Sequence, residues 1–421
     1  MKKIVIVGLL SFIASIAQAL TSQFASANSL NAQTENSTEI LATFADWCQK
    51  ELLTPEAKHT VEVLLEEAGT RECDRAADKL AELTSLELSY REIVNLEPLA
   101  SLKNLRWLAL GSNKIADVKP LARLTKLKYL DLDSNNIADL KPLASLTNLT
   151  YLDLSVNDIA DLNPLANLKS LTDLDLSFNF KIADVEPLAR LTQLGNLDLN
   201  GNKIADLKPL ANLANLIRLK IGSNEIADIR PLARLTELKL LELWGNKIVD
   251  VQPLARLTNL TFLNLWNNQI AEVEALASLT KLKKLFLRDN QITDIRPLAG
   301  LRNSIQLDLN SNQVTDIKPL AGLKNLTLLY LANNQIADLK PLATLTNLTD
   351  LNLDRNQIAD VKPLAGLTKL TILSLSENKI EDLNPLAALT NLTRLAIAGN
   401  PATEKLGQGA CPVQPACPTG E

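Results

Sequence analysis

With His59 as its only imidazole and four cysteines in 421 residues, the chain is poor in the side chains that most catalytic sites are built from. No Ser-His-Asp or Cys-His set can be assembled away from that one position, and a zinc site would need cysteines from opposite ends of the chain. Aromatic residues make up only 4%, so aliphatic side chains must fill any core. Neither sign of charge dominates: Lys+Arg 43 against Asp+Glu 48 leaves a net −5, which gives no electrostatic case for nucleic acid. Long apolar runs are missing too, apart from Ile4 to Ala17, and that run is shorter than the ~20 residues a spanning helix needs. It follows the basic start Met1-Lys2-Lys3 and precedes Ala17-Gln18-Ala19 and Ala25-Ser26-Ala27, two small-x-small cleavage patterns. Residues 1–27 therefore read as a signal peptide. The mature product is expected to be secreted, periplasmic or on the cell surface, with no membrane span.

What the chain has in abundance is one period. Asparagines at 113, 135, 157, 179, 202, 224, 246, 268, 290, 312, 334, 356, 378 and 400 are spaced by 22 residues, with a single step of 23. Each sits in the frame L-x-x-L-x-L-x-x-N-x-I-x-D-x-x-P-L-A-x-L, and Arg91 takes the Asn slot in a degenerate first copy. Fixed self-similarity on this scale is a leucine-rich repeat array, which grows by adding coils and remains one domain whatever its length.

One copy, Leu105 to Lys126, predicts the coil. Leu108 and Leu110 alternate with Trp107, Ala109 and Gly111, the period-2 pattern of a short strand with one buried face. Asn113 follows the strand, where its amide can serve turn backbone that would otherwise be buried unpaired. Ile115 and Val118 turn inward again, and Pro120-Leu121-Ala122 starts a tight helical or 3₁₀ turn with proline where no amide hydrogen is needed. Asp117, Asp139, Asp161, Asp184 and Asp206 are expected to accept from backbone donors near that turn. Fifteen coils at ~4.8 Å per strand give a parallel sheet roughly 70 Å long. Three irregularities stand out: Phe180 is inserted after Asn179, Ala275 replaces a proline, and Ser304 replaces a leucine.

The flanks complete the organisation. Residues 28–39 are polar and read as a flexible linker. From 40 to 82 the pattern is helical and forms a cap: Phe44, Trp47 and Leu52 fall near helix spacing, Thr54-Pro55-Glu56 opens a helix and Gly69 closes it. That cap should cover Leu86 and Leu88 of the first coil, with Trp47 in its core and His59 on a helix surface. The array runs over 83–400, and 401–421 form a C-terminal cap or tail. Of the three connectivities open to four cysteines, the local one, Cys48 to Cys73 and Cys411 to Cys417, is expected in an oxidising compartment. The Asn-Leu-Thr triplets beginning at Asn148, Asn259, Asn325, Asn347 and Asn391 match a glycosylation pattern but are simply part of the repeat.

The frame from Leu127 to Thr147, repeated over roughly Leu83 to Asn400, resembles the short repeats of the bacterial internalin-like family. The resemblance implies an α/β, right-handed leucine-rich repeat solenoid. A parallel β-sheet would line its concave face, with short 3₁₀ or helical turns on the convex face, a helical N-terminal cap, and protein recognition on the sheet. The cysteine-bearing cap departs from the usual one, and neither an immunoglobulin-like module nor an L-P-x-T-G tail follows, so adhesion to a host cell does not carry over.

Function has to be read from positions the repeat leaves free, those six, four, two and one before each ladder Asn. Aromatic residues cluster there. Trp107, Tyr129 and Tyr151 share one slot in three successive coils beside an acidic row at Asp131, Asp153, Asp175 and Asp198. Trp244, Trp266, Phe262, Phe286 and Leu240 form a second patch rimmed by Arg218, Lys220, Lys284 and Arg288. Exposed aromatics with a charged rim have the composition of a recognition hot spot; the plainer alternative is self-stacking that stabilises the sheet. The expected function is a non-catalytic module that binds a protein partner, with no cofactor and no dedicated metal. Glycan binding, Ca²⁺-assisted cell-surface adhesion and a purely structural role in the envelope stay open as alternatives. An enzyme is disfavoured also because an acidic row on an open surface should lack the burial that shifts pKa values.

Overall fold

A computed structural model describes residues 43–405 of the chain. The expected leader, the linker and the Cys411 to Cys417 pairing lie outside these residues. Fifteen three-residue strands, from β1 (Ser85–Glu87) to β15 (Arg394–Ala396), form one parallel sheet in strict sequence order. Register is kept throughout, with Leu86 opposite Leu108 at one end and Leu373 opposite Leu395 at the other. Coils are numbered here 1 to 15 by their strand.

The architecture is the solenoid that the period predicts, with the right-handed coiling that the family resemblance implies. In each strand the middle residue is buried and, Ala109 apart, its neighbours are not, as in the Tyr129–Asp131 strand. Each strand is then followed by a second inward leucine or isoleucine, such as Leu132 or Ile221. Fourteen 3₁₀ turns line the opposite side, and Leu108, Leu110, Ile115, Val118 and Leu121 of coil 2 are at most 1% exposed. Each such side chain contributes ~1.5 to 3 kcal/mol of burial, and the sum over the coils is what holds an array with no long-range closure. Asp117 accepts from the Lys119 amide at 2.9 Å, and Asp139, Asp161, Asp184 and Asp206 do the same in their coils. Proline is dispensable to the turn, since Glu274–Ser278 forms it with Ala275. Ser304 stays buried, its hydroxyl 3.5 Å from the Leu282 carbonyl oxygen.

The Asn ladder is a chain of inter-coil ties. Asn224 Nδ2 donates to the carbonyls of Leu199, Ile221 and Gly222, and its Oδ1 accepts the Ile204 amide at 2.9 Å. Coil after coil repeats this set, and the 23-residue step breaks it once: Asn202 keeps its three donations, but its Oδ1 has no partner. Convex asparagines form a second ladder, with Asn148, Asn259, Asn325, Asn347 and Asn391 each donating to a carbonyl of the preceding coil.

The residue before each ladder Asn carries a feature that periodicity did not announce. From Ser112 to Gly399 this position lies at φ between 52° and 70° in every coil. That left-handed conformation costs an L-residue roughly 1–2 kcal/mol. Serine, asparagine and glycine fill most of these places; Val156 and Phe178 do not fit the chemistry, since branched and bulky side chains are outliers there.

Three helices cap the first coil: α1 (Phe44–Gln49), α2 (Pro55–Ala68) and α3 (Cys73–Glu82). Thr54 caps α2 from its side chain, Pro55 occupies its first turn, and Gly69 ends it at φ 62°. A disulfide joins Cys48 to Cys73. Phe44 is buried and Trp47 packs partly buried against the core, whereas Leu52, grouped with them by spacing, lies in the link after α1 and is 87% exposed. Leu86 and Leu88 are covered. Arg91, in the place of the first ladder Asn, instead reaches Glu66 and Glu67 of α2. His59 is more than a surface residue: its Nε2 donates to the Arg91 carbonyl at 2.6 Å, across the seam between cap and array.

Candidate functional site on the concave sheet

Because successive strands are in register, free positions of the repeat form columns across the concave face. The column six before each Asn carries Trp107, Tyr129 and Tyr151, then Asp173, Asn196, Arg218, Leu240, Phe262 and Lys284. The next carries Asp131, Asp153, Asp175, Asp198 and Lys220, and further on Phe286, Asp308 and Tyr330. Both aromatic patches thus form where the sequence put them.

In the first patch the rings satisfy one another. Trp107 and Tyr129 stack at 5.0 Å and 16°, and Tyr129 and Tyr151 at 4.2 Å and 7°, close to the natural spacing of neighbouring strands. Burial and the surrounding carboxylates push both tyrosines above the ordinary phenol range.

The acidic row beside them corrects an expectation. Far from being fully solvated, Asp131, Asp153, Asp175 and Asp198 are half-buried, and desolvation raises the pKa of all four. Asp131 is pushed up to about 6, by burial above all, with the Asp133 and Asp153 carboxylates adding to it. Backbone amides two residues on donate to each of the four. Lys220 ends the row, 3.1 Å from Asp198, so it belongs with the acids rather than to the rim of the second patch. Among the described residues no group of three or more His, Cys, Asp or Glu side chains converges as a metal would require.

The second patch has a different geometry. Gly222, Trp244, Trp266 and Arg288 form a third column. A side chain at Gly222 would collide with the Trp244 indole, at 2.3 Å from Nε1, so glycine here is the seat on which that ring lies. Trp266 sits 6.1 Å from Trp244 at 25°, and the Arg288 guanidinium lies 5.6 Å over the other side of Trp266. Trp266 Nε1 donates to Asp289 at 2.8 Å, and Arg288 Nε reaches the same carboxylate oxygen. Phe262 and Phe286 meet at 5.4 Å and 45°. Beside Phe286 opens a pocket of about 200 Å³ lined by Asn264, Trp266, Phe286, Arg288 and Asp308. Desolvation raises the Asp308 pKa. Arg218 and Lys284 stay exposed on strands Arg218–Lys220 and Lys284–Phe286. Asn264 and Asp308 were missed because polar residues are common in their column; only their placement on either side of Phe286 makes them part of a pocket.

A family model for leucine-rich repeats in two copies matches residues 103–145, 147–190 and 368–407, and in overlapping segments 236–366, together more than half of the chain. Among solved structures, the internalin InlF of Listeria monocytogenes is 34% identical, covers 78% of this chain and 99% of its own, and superposes with a TM-score of 0.73. The chain belongs to the internalin-like leucine-rich repeat family. A leucine-rich repeat protein of Leptospira interrogans is 28% identical over 78% of this chain and 88% of its own, with a TM-score of 0.71. A plant peptide hormone receptor solved with its ligand, 22% identical over 76% of this chain and 60% of its own with a TM-score of 0.62, shares the fold alone. No curated protein sequence matches the chain significantly. For this internalin-like array, then, kinship fixes the scaffold and names no ligand.

Proposed function

We propose that the protein is an exported, non-catalytic recognition module that binds a protein partner on its concave face, centred on the pocket beside Trp266. The observation that carries this reading is the pocket itself. On an open sheet face, a 36% exposed tryptophan, a phenylalanine, a guanidinium and a desolvated carboxylate here converge on one concavity. Anchors of this type dominate interface energies. The first patch ranks lower because its rings already stack on one another. Leu240 and Phe262 extend the apolar centre, and Arg218, Lys284 and Arg288 provide a polar rim that excludes water. Export is supported by the leader-like start and by the disulfide in the cap, which suits an oxidising compartment.

The pocket's size and its pairing of an indole with Asn264 and Asp308 also suit one sugar ring, which makes a glycan the second reading. Immobilised mature protein should be offered a proteome-wide pool and a glycan array, in parallel with a Trp244→Ala plus Trp266→Ala variant and a convex Lys119→Ala variant. A protein ligand whose affinity falls roughly thirtyfold or more with the double change, as loss of a hot-spot anchor implies, and stays unchanged with Lys119→Ala, supports the proposal. Binding indifferent to both tryptophans would reject it.

A further inference from the structure

The inserted residue of coil 5 is the one place where the array departs from its own chemistry in several ways at once. Phe180 interrupts the period and takes φ 35°. The Asn202 Oδ1 that should accept the Ile182 amide is left buried and unpartnered. Phe178, next to the ladder Asn, holds the left-handed slot at φ 57°, and Val156 holds it in the coil before at φ 54°. None of this strain is repaid by burial: Val156 is 47%, Phe178 40% and Phe180 55% exposed. The two phenylalanine rings meet at 6.2 Å and 59°. Glycine at 201 lets the Phe178 ring lie over the next coil, since a Cβ there would come within 2.5 Å of it. Local rules broken together without a structural return mark a functional position.

We infer that Val156, Phe178 and Phe180 form a second contact surface, an apolar anchor at the edge of the concave face for a protein segment bearing a large apolar side chain beside lysine or arginine. The charge follows from the neighbours. Asp153 and Asp175 lie three residues before Val156 and Phe178 on the same coils, and no basic side chain pairs with either among the described residues. Burial raises the pKa of both carboxylates, so a cation that settles on them relieves an existing penalty as it binds. At the end of the row the chain supplies its own lysine: Lys220 contacts Asp198 directly and its charge also reaches Asp175, without pairing with it and without outweighing the burial that raises the Asp175 pKa. The inference rests on the array being a protein-recognition module, but not on the Trp266 pocket.

A random library of short displayed peptides, selected on the full-length mature protein, tests it with a defined probe. Two variants provide the contrast: deletion of Phe180, which restores the 22-residue spacing, and Phe178→Ser, which installs the residue found at Ser112, Ser134 and Ser223. Both should fold, and the deletion should raise the melting temperature, because it restores a missing tie. Selected peptides should carry an aromatic or large aliphatic residue adjacent to Lys or Arg, and should lose about tenfold or more in affinity for either variant. They should bind the Trp266→Ala protein as before. Peptides that ignore both changes, that are acidic, or that cannot be enriched at all would overturn the inference, as would a deletion that destabilises the fold. Peptides sensitive to Trp266→Ala alone would support the pocket and reject this surface.

Discussion

A ladder asparagine does four jobs with one amide, which is why no other side chain replaces it between Asn113 and Asn400. Asn224→Ala should cost ~1 to 3 kcal/mol, because buried carbonyls and the Ile204 amide lose their partners together. Asn202→Ala should cost less, since its Oδ1 already has no donor. Urea unfolding of the two variants checks the difference, and equal losses would mean that the Oδ1 tie contributes nothing. Asp131 offers a test of opposite sign. Its pKa lies at about 6 against an ordinary 3.8, so its neutral form is the one the fold prefers. The stability it contributes is fully present below pH 3.8 and is lost as pH rises through about 6. Asp131→Asn should therefore stabilise the array above pH 7 and make no difference near pH 3. Asn can take the same backbone bond, as Asn264 and Asn352 do in that column. Carboxyl chemical shifts would report the titration directly. The ladder, the inward leucines and both aromatic patches were legible in the sequence because a strict period turns position into direction. Half-burial of the acidic row was not legible, because it depends on how closely strands approach side by side. The left-handed slot was hidden too, since Ser, Gly, Asn, Val and Phe share no pattern there except the angle they are forced to adopt.

At the scale of elements, the cap and the first coil are joined by polar contacts that a repeat cannot supply to itself. Arg91 gives up the ladder role and binds Glu66 and Glu67, His59 bonds its carbonyl, and Thr60 bonds the Asn95 carbonyl at 2.7 Å. The Cys48 to Cys73 bond ties α1 to α3 across 25 residues, worth about 3.5 kcal/mol in the chain-entropy account. A Cys48→Ser plus Cys73→Ser protein should lose that stability in the cap. Hydrogen exchange should accelerate over α1 to α3 and at Leu86 and Leu88, and remain unchanged beyond coil 3. Uniform acceleration along the array would contradict a locally stapled cap. That a helical cap exists could be read from Thr54-Pro55 and Gly69. How it is fastened could not, since Arg91 looks like a failed asparagine until Glu66 and Glu67 are seen beside it.

For the whole molecule, stability is a sum over coils and their shared faces, so the weakest junction decides where it opens. Coils 5 and 6 share the one broken tie, and the array should part there first. Mass-resolved hydrogen exchange should find the Ile182 amide less protected than those of Ile159 and Ile204, which Asn179 and Asn224 hold. Equal protection at the three positions would show that the inserted residue is fully accommodated.

The direction of the Asn ties also sets an order of construction. Every ladder asparagine except Asn202 closes a turn of the coil before it through its Oδ1, as Asn135 does for Ile115 and Asn400 for Ile380. A coil therefore stays provisional until its successor has been laid down, and a chain emerging from its N-terminus always ends in one unfinished rung. The described array stops by meeting the demand from the coil behind, with a carbonyl that a proline leaves free. After Asn400 comes Pro401, which has no amide hydrogen to satisfy, and Ala402 donates to the Ile380 carbonyl instead.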